Sequence, residues 1–190
     1  MASPSQRPPG ERLVIGITGR IGSGKTTVGR HLESKVGFQY LRYSEILSEW
    51  RAQDPESKAH LQRVGWEVMA EGMQAELNRR LIARIAPYGG VAVDGLRHPL
   101  DYETLRGSFS RSFRLLYIDS SSQLRFERLH QKGKYADLAS FTAADAHPVE
   151  QHIASLRANA TTVIANEGTL PELYNAIEMA VEDLRKESRS

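Results

Sequence analysis

The sequence contains no cysteine, which excludes disulfide bonds, thiolate nucleophiles and zinc sites built on cysteine. Long apolar runs are also absent, and none approaches the roughly 18 residues that a membrane-spanning helix requires. The N-terminal segment, MASPSQRPPGER, lacks the apolar core of a signal peptide. From these absences we expect a cytoplasmic protein with no membrane partner.

The sequence also lacks a large excess of either positive or negative charge. The 25 lysines and arginines nearly balance the 23 aspartates and glutamates, and no long basic block occurs. We therefore do not expect a nucleic acid as partner. Most of the cations are arginine, whose planar guanidinium binds phosphate groups through two hydrogen bonds at once. This composition favours small phosphorylated molecules as ligands.

The length of 190 residues fits one compact domain, and an apolar fraction of 40% is ordinary for a folded chain. Residues 1–11 are rich in proline, serine and polar side chains, which cannot bury enough apolar surface to offset the entropy of ordering. We expect a disordered tail there and a single domain over residues 12–187.

Short runs rich in β-branched residues alternate with stretches in which apolar residues recur at helical spacing. Alternation of this kind requires right-handed crossovers and a parallel sheet covered on both faces. The sequence therefore predicts a three-layer α/β/α fold around a central parallel sheet of about five strands. The predicted strands are Arg12–Thr18, Phe38–Leu41, Val91–Asp94, Phe113–Asp119 and Thr161–Ala165.

Two segments lie between predicted strands and are long enough to carry additional structure. Residues 44–86 have helical periodicity, and we expect them to form helices that bind a phosphate acceptor. Residues 132–157 predict a lid region. Its first part, Lys132 to His147, is polar and irregular in period, which favours a flap, and a helix over 148–157 closes it.

The segment from Gly19 to Thr26, GRIGSGKT, matches the phosphate-loop pattern and lies between a predicted strand and a predicted helix. Glycines allow the backbone N–H groups to surround an anion, Lys25 reaches the β and γ phosphates of ATP, and the Thr26 hydroxyl ligates Mg²⁺. A chance match in a glycine-bearing turn is the alternative. The predicted ATP-binding residues are Gly19, Gly22, Ser23, Gly24, Lys25, Thr26 and Thr27.

The third predicted strand ends in Asp94-Gly95-Leu96-Arg97. Since the carboxyl ends of parallel strands open onto one crevice, this tetrapeptide should face the phosphate loop. There Asp94 would hold Mg²⁺ through water, and Arg97 would bind a phosphate of the acceptor. The alternative is an aspartate that caps the next helix beside a surface arginine.

Three stretches, GITGRIGSGKTT, DGLR and ATTVIANEGTLPEL, together resemble the P-loop nucleoside monophosphate kinase superfamily. The likeness is greatest to dephospho-CoA kinases, which have a similar loop and a similar ending at Val163 to Thr169, and to an archaeal group of uncharacterised kinase-like proteins. The archaeal group shares the DGxR strand end and the RFERL helix of Arg125 to Leu129. The resemblance spans nearly the whole chain.

The resemblance implies further roles. Arg97 takes the place of an acceptor-phosphate ligand, and Arg125 and Arg128 take the place of arginines that neutralise charge on the transferring phosphoryl group. Asn166 and Gly168 would lie beside the adenine, where backbone groups recognise the base in related kinases. The alternatives are a surface pair of arginines and a plain turn before a helix capped by Thr169.

Dephospho-CoA kinases have an aspartate near the second strand that activates the acceptor hydroxyl, and Glu45 is the carboxylate available here. Glu45 could orient or deprotonate the acceptor, or it could be a favourable charge in the first turn of a helix capped by Ser44. Arg51 would point into the same acceptor pocket, as an arginine does in adenylate kinase-like enzymes, or it is a solvated arginine.

The function expected from these features is ATP- and Mg²⁺-dependent phosphoryl transfer to a nucleoside or deoxynucleoside monophosphate or a related nucleotide. Phosphorylation of dephospho-CoA at its 3′-hydroxyl is an alternative. A regulatory P-loop NTPase and a kinase of a modified base in DNA are further alternatives, although no guanine-specific Asn-Lys-x-Asp motif and no basic stripe with aromatics occur. The sequence does not indicate an oligomeric state.

Overall fold

The computed structural model describes residues 12–51, 64–65 and 67–187. The predicted tail and part of the predicted acceptor-binding segment, residues 52–63 and 66, lie outside these residues. Five parallel strands form one sheet in the order β2-β3-β1-β4-β5. The strands are β1 Leu13–Thr18, β2 Gln39–Arg42, β3 Gly90–Asp94, β4 Phe113–Asp119 and β5 Thr162–Ala165.

Strand β1 occupies the centre of the sheet and is buried along its whole length. It pairs with β3 so that Ile17 lies opposite Asp94, and with β4 so that Thr18 lies opposite Tyr117. Because all strands run in one direction, their carboxyl ends meet at one edge of the sheet. This register brings the loop after β1 next to the end of β3.

Helices cover both faces of the sheet, as the apolar periodicity predicts. They are α1 Lys25–His31, α2 Tyr43–Arg51, α3 Gln74–Ile85, α4 Pro99–Phe109, α5 Ser122–His130, α6 Leu138–Asp145, α7 Pro148–Ser155 and α8 Leu170–Glu187. A π-helical turn, Leu32–Val36, extends α1. Residues 64, 65 and 67–70 are also helical.

Two apolar clusters fill the space between the layers. On one face, side chains of α2, α3 and α4 such as Leu47, Leu81 and Leu105 pack against the sheet. On the other, α1 and α8 contribute side chains such as Val28 and Ile177. The three-layer α/β/α fold predicted from the sequence is confirmed. Within the described residues, no helix combines the length and the apolar character needed to cross a membrane.

The predicted flap, Lys132 to His147, contains helix α6. The Asp137 side chain accepts a hydrogen bond from the Ser140 N–H and caps this helix, and Phe141 is fully buried. One local expectation was wrong. Ser44 does not cap α2, because the helix already begins at Tyr43, directly after β2. The buried ring of Tyr43 fixes that start, since its hydroxyl donates to Asn78 of α3.

Candidate active site

The loop between β1 and α1 requires glycine at three positions. Gly19, Gly22 and Gly24 have φ angles of 144°, 82° and 104°, which side-chain-bearing residues rarely adopt. A Cβ atom on Gly19 would also lie 2.3 Å from the carbonyl oxygen of Ile118. Helix α1 starts at Lys25, immediately after the loop, so its N-terminal N–H groups face the same space. The loop therefore fits the polyphosphate of a nucleotide.

Lys25 lies at the base of this loop. Its Nζ donates hydrogen bonds to the carbonyl oxygens of Gly19, at 2.6 Å, and Arg20, at 3.0 Å. Desolvation lowers the pKa of Lys25 to about 8; the Asp94 carboxylate opposes this shift, and the Arg97 guanidinium adds to it. Lys25 is therefore held against the backbone of the loop directly after β1.

Asp94 is buried at the end of β3 and receives two hydrogen bonds on one carboxylate oxygen, Oδ2. The Thr26 hydroxyl donates to it at 3.2 Å and the Tyr40 hydroxyl at 2.7 Å. Hard divalent cations such as Mg²⁺ prefer oxygen ligands of these types, so the hydroxyl of Thr26 and the carboxylate of Asp94 fit the predicted metal site. Thr27 follows in the first turn of α1.

Sequence reasoning missed Tyr40. Burial and the neighbouring Asp94 raise the pKa of its hydroxyl, which therefore stays protonated and remains a donor to Asp94. Its ring lies so close to α1 that a Cβ atom on Gly29 would be 2.1 Å from a ring carbon. A glycine inside a predicted helix was the signal available in the sequence, because such a glycine marks a close approach by a neighbour.

The loop after β3 presents Arg97 and is held by Asp101. The Asp101 carboxylate accepts the backbone N–H groups of Arg97 and His98, each at 3.0 Å, and the side-chain amides of Gln74 at 2.5 Å and Asn78 at 3.1 Å. Asp101 and His98 form the cap of α4, so Asp94 is not the capping residue. Among the described residues, the guanidinium of Arg97 has no hydrogen-bond or ion-pair partner.

Arg125 is fully engaged inside the protein. Its guanidinium binds both carboxylate oxygens of Asp145, at 2.6 and 2.9 Å, and also donates to the carbonyl oxygens of Ile21 and Ser120, each at 3.0 Å. Arg20 of the phosphate loop pairs with the same Asp145 at 3.2 Å. These contacts tie the loop to α5 and to the end of α6, which lies in the predicted lid.

Arg128, one turn further along α5, has neutral partners. Its Nη1 donates to the Ser120 hydroxyl at 3.1 Å and its Nη2 to the Asn166 side-chain oxygen at 3.2 Å. The Asn166 side chain in turn donates to the carbonyl oxygen of Ser23 at 2.8 Å, so it lies against the phosphate loop. Gly168 belongs to the turn before α8, where a Cβ atom would lie 2.2 Å from the Glu172 carboxylate.

Glu150, on α7, is a second residue that sequence reasoning missed. Its carboxylate is buried, accepts the backbone N–H of Ile21 at 2.8 Å and raises the pKa of Lys25. An anion therefore already contacts the phosphate loop. The sequence offers no motif for it, because one glutamate near the start of a helix is ordinary.

Glu45 and Arg51, the two remaining candidate residues, each contact side chains outside the phosphate loop. Glu45 is exposed in the first turn of α2, with one carboxylate oxygen 3.4 Å from Arg42 Nη1. Arg51 lies on the same helix, with Nη2 3.6 Å from a Glu71 oxygen and its guanidinium carbon 4.7 Å from the centre of the Trp50 ring. Within the described part of the chain, neither side chain has a hydrogen bond to the phosphate loop.

Comparison with known proteins identifies the family. A family model described as AAA domain matches residues 15–146, which include the phosphate loop, the Asp94–Arg97 strand end and α5. The chain belongs to this family. Among relatives of this AAA-domain chain, a UPF0200 protein of Pyrobaculum aerophilum is 28% identical over 179 residues, covering 90% of this chain and 98% of that protein.

The AAA-domain chain also resembles named kinases. A dephospho-CoA kinase of Chlorobium luteolum is 29% identical over 140 residues, covering 68% of this chain and 61% of that enzyme. The solved structure of a gluconokinase from Sinorhizobium meliloti superposes with a TM-score of 0.60 at 16% identity, covering 92% of this chain and 96% of that one. The predicted resemblance to P-loop kinases is confirmed, and the chain has the P-loop kinase fold.

Proposed function

We propose that this protein transfers the γ-phosphoryl group of ATP, with Mg²⁺, to a nucleoside or deoxynucleoside monophosphate or a related nucleotide. The observation that carries the proposal is the phosphate loop that ends in Lys25 and Thr26, whose hydroxyl donates at 3.2 Å to Asp94, three residues before Arg97. In the reaction, the bond between the γ-phosphorus and the bridging oxygen of ADP breaks as an oxygen of the acceptor phosphate bonds to that phosphorus.

The donor side consists of the loop from Gly19 to Thr26. Its N–H groups and Lys25 would bind the β and γ phosphates, which orients the terminal phosphorus toward Arg97. Thr26 and Asp94 would hold Mg²⁺, directly and through water. When bound, the ion neutralises charge on the phosphate oxygens.

The acceptor side follows β3 and β2. Arg97 is partly exposed, its backbone is fixed by Asp101, and its charge has no internal partner among the described residues. A guanidinium held in this way suits two-point binding of a phosphate, which favours an acceptor that already carries one. We assign Glu45 and Arg51, both on α2, to the wall around this acceptor.

Charge neutralisation during transfer is the role of Arg128 rather than Arg125 in this proposal. The charge of Arg125 is already compensated by Asp145, whereas the hydrogen-bond partners of Arg128 are neutral. A cation whose charge is not compensated interacts more strongly with a developing anion. Arg125 instead fastens the lid region, 132–157, to the phosphate loop.

A second candidate is phosphorylation of the 3′-hydroxyl of dephospho-CoA. The similarity to the Chlorobium luteolum enzyme favours it, and the exposed carboxylate of Glu45 would then accept the hydroxyl proton. Glu45 pairs with Arg42, which would have to release it. Arg97 would bind a phosphate of the coenzyme in this case.

One plate-based assay separates these functions. ATP consumption is measured with each nucleoside and deoxynucleoside monophosphate and with dephospho-CoA, in the wild type and in Arg97→Met. We expect a monophosphate to stimulate ATP turnover, and we expect the variant to raise the KM for that acceptor while leaving the KM for ATP unchanged. Stimulation by dephospho-CoA alone selects the second candidate, and stimulation by none of the compounds rejects both.

A further inference from the structure

Asn166 lies directly after β5 and is 6% exposed, although its side chain is polar. Both polar atoms of its side-chain amide form hydrogen bonds. Nδ2 donates to the carbonyl oxygen of Ser23 at 2.8 Å, and Oδ1 accepts from Arg128 Nη2 at 3.2 Å. One side chain therefore connects the phosphate loop to the arginine of α5.

The backbone of Asn166 is fixed from the neighbouring strand. Its N–H donates to the carbonyl oxygen of Asp119 at 2.7 Å, and its carbonyl oxygen accepts the Ser120 hydroxyl at 3.0 Å. Since Ser120 also binds Arg128, a closed set of hydrogen bonds joins the ends of β4 and β5 to α5. Asn166 is thus a rigid support for whatever its side chain contacts.

The bond to the Ser23 carbonyl determines the direction of a loop N–H group. The carbonyl of Ser23 and the N–H of Gly24 belong to one planar trans peptide unit, so they point in opposite directions. Asn166 holds the carbonyl, and the Gly24 N–H therefore points away from Asn166. In a phosphate loop, the N–H groups surround the polyphosphate.

Steric contact reinforces this arrangement. A Cβ atom on Gly24 would lie 2.5 Å from Nδ2 of Asn166, so the amide occupies the space that a side chain at position 24 would need. Gly24 has a φ of 104°, and rotation of its peptide unit would break the Asn166 bond. The position of Asn166 and the conformation of the loop therefore depend on each other.

We propose that Asn166 is a positioning residue for the polyphosphate of the donor, acting through the Gly24 N–H and through Arg128, and does not recognise the adenine base. The inference rests on the proposed function in that the bound polyphosphate is taken to be that of ATP. It concerns the donor alone and is independent of the identity of the acceptor.

The test compares binding of ATP and of inorganic tripolyphosphate, which has no base, by titration calorimetry at one Mg²⁺ concentration. Asn166→Ala removes both side-chain bonds. Asn166→Asp keeps the shape and the acceptor for Arg128 but cannot donate to Ser23. We expect each variant to bind both ligands about tenfold more weakly than the wild type, by the same factor for the two ligands.

Ser121→Ala is the matched control, because the Ser121 hydroxyl donates to Glu167 and, among the described residues, has no bond to Asn166, Ser23 or Arg128. We expect tripolyphosphate affinity to be unchanged in this variant. Melting temperatures are recorded for all three proteins, and Asn166→Asp replaces Asn166→Ala if the latter does not fold. In turnover assays, Asn166→Ala should raise the KM for ATP. It should also lower kcat, because Arg128 loses its hydrogen bond to the Asn166 side chain.

A loss of ATP affinity with unchanged tripolyphosphate affinity in the Asn166 variants would assign Asn166 to the base and overturn the inference. Unchanged affinity for both ligands would overturn it as well. If the wild-type protein binds neither ligand, the proposed function itself fails, and the inference fails with it. If the wild type binds both but no acceptor is phosphorylated, only the proposed function is rejected.

Discussion

The Thr26 hydroxyl donates a 3.2 Å hydrogen bond to the carboxylate of Asp94, which joins the first turn of α1 to the end of β3. The two residues are 68 positions apart in the sequence and meet because β1 and β3 are paired with Ile17 opposite Asp94. The same carboxylate oxygen also binds the Tyr40 hydroxyl. Asp94 is therefore oriented by donors from two different elements.

Asp94→Asn should lower activity at a fixed Mg²⁺ concentration by about 10- to 100-fold, as is usual when an outer ligand of a metal is lost. The amide keeps the shape of the carboxylate but lacks its charge. Activity is measured as a function of Mg²⁺ concentration, and the half-saturating concentration should rise. Tyr40→Phe, which removes one donor and leaves the carboxylate, should change it less. An unchanged Mg²⁺ dependence in Asp94→Asn would contradict the assignment.

Lys25 should make catalytic efficiency depend on pH near neutrality. It binds phosphate in its protonated form, and desolvation lowers its pKa from 10.5 to about 8, so kcat/KM for ATP should fall as pH rises through about 8. In the complex, the phosphate charges raise this pKa, and the decline in kcat should begin at a higher pH.

Lys25→Arg is the control for this pH dependence, because a guanidinium stays protonated over the whole range. The variant should be slower, since its geometry differs, but its kcat/KM should lack the decline near pH 8. A decline that persists unchanged in Lys25→Arg would mean that a different group titrates.

Arg125 and Arg128 should differ in what their removal affects. Arg125→Ala leaves Asp145 buried without its main partner and should lower the free energy of unfolding by about 3 to 5 kcal/mol, measured by urea denaturation. Arg128→Ala should lower kcat by about a thousandfold, by analogy with arginines that stabilise transferring phosphoryl groups, and should cost much less stability. The opposite pattern would exchange the two roles.

Glu150→Gln should tighten ATP binding. The carboxylate of Glu150 accepts the Ile21 N–H at 2.8 Å, within the loop where the triphosphate is expected. The negative charge of this carboxylate therefore repels the bound triphosphate. Removal of the charge should improve affinity by about tenfold, the order expected for one charge a few ångströms away.

The measurement for Glu150 is best made at pH 6.5. Glu150 raises the pKa of Lys25, so Glu150→Gln lowers the pKa of Lys25. At this pH, Lys25 stays protonated in both proteins, and only the charge at position 150 differs between them. The control for a change of net charge is Glu127→Gln, at an exposed position on α5 whose carboxylate bonds only to Gln123 among the described residues. Weaker ATP binding in Glu150→Gln would show that Glu150 supports the nucleotide.

Much of the fold could be predicted from the sequence because its signals are local. Strands β1, β3 and β5 are short runs rich in β-branched residues, and the phosphate loop is a contiguous motif whose glycines have the positive φ angles that the motif requires. The start of α6 was missed because one side chain, Asp137, caps the helix and one ring, Phe141, anchors it. A short helix that buries a single aromatic ring shows too weak an apolar periodicity to be recognised in the sequence.

The partners of the site residues could not be predicted, because they are set by tertiary contacts between distant segments. Arg125 and Arg128 look equivalent in sequence, and only the position of Asp145 distinguishes them. Glu150 lies 129 residues from Ile21 in the chain, and no spacing rule connects the two. Tyr40 could be found only through Gly29, whose missing side chain leaves room for the ring.

The strand order separates the two halves of the proposed reaction. Arg128 and Asn166 follow β4 and β5 on one side of β1, whereas Tyr43 and Arg97 follow β2 and β3 on the other. Under the proposed function, substitutions after β2 and β3 would alter the choice of acceptor while the phosphate loop is preserved. The proposed function thus places a change of acceptor on one flank of the sheet and leaves the phosphate loop, which follows the central strand β1, unaltered.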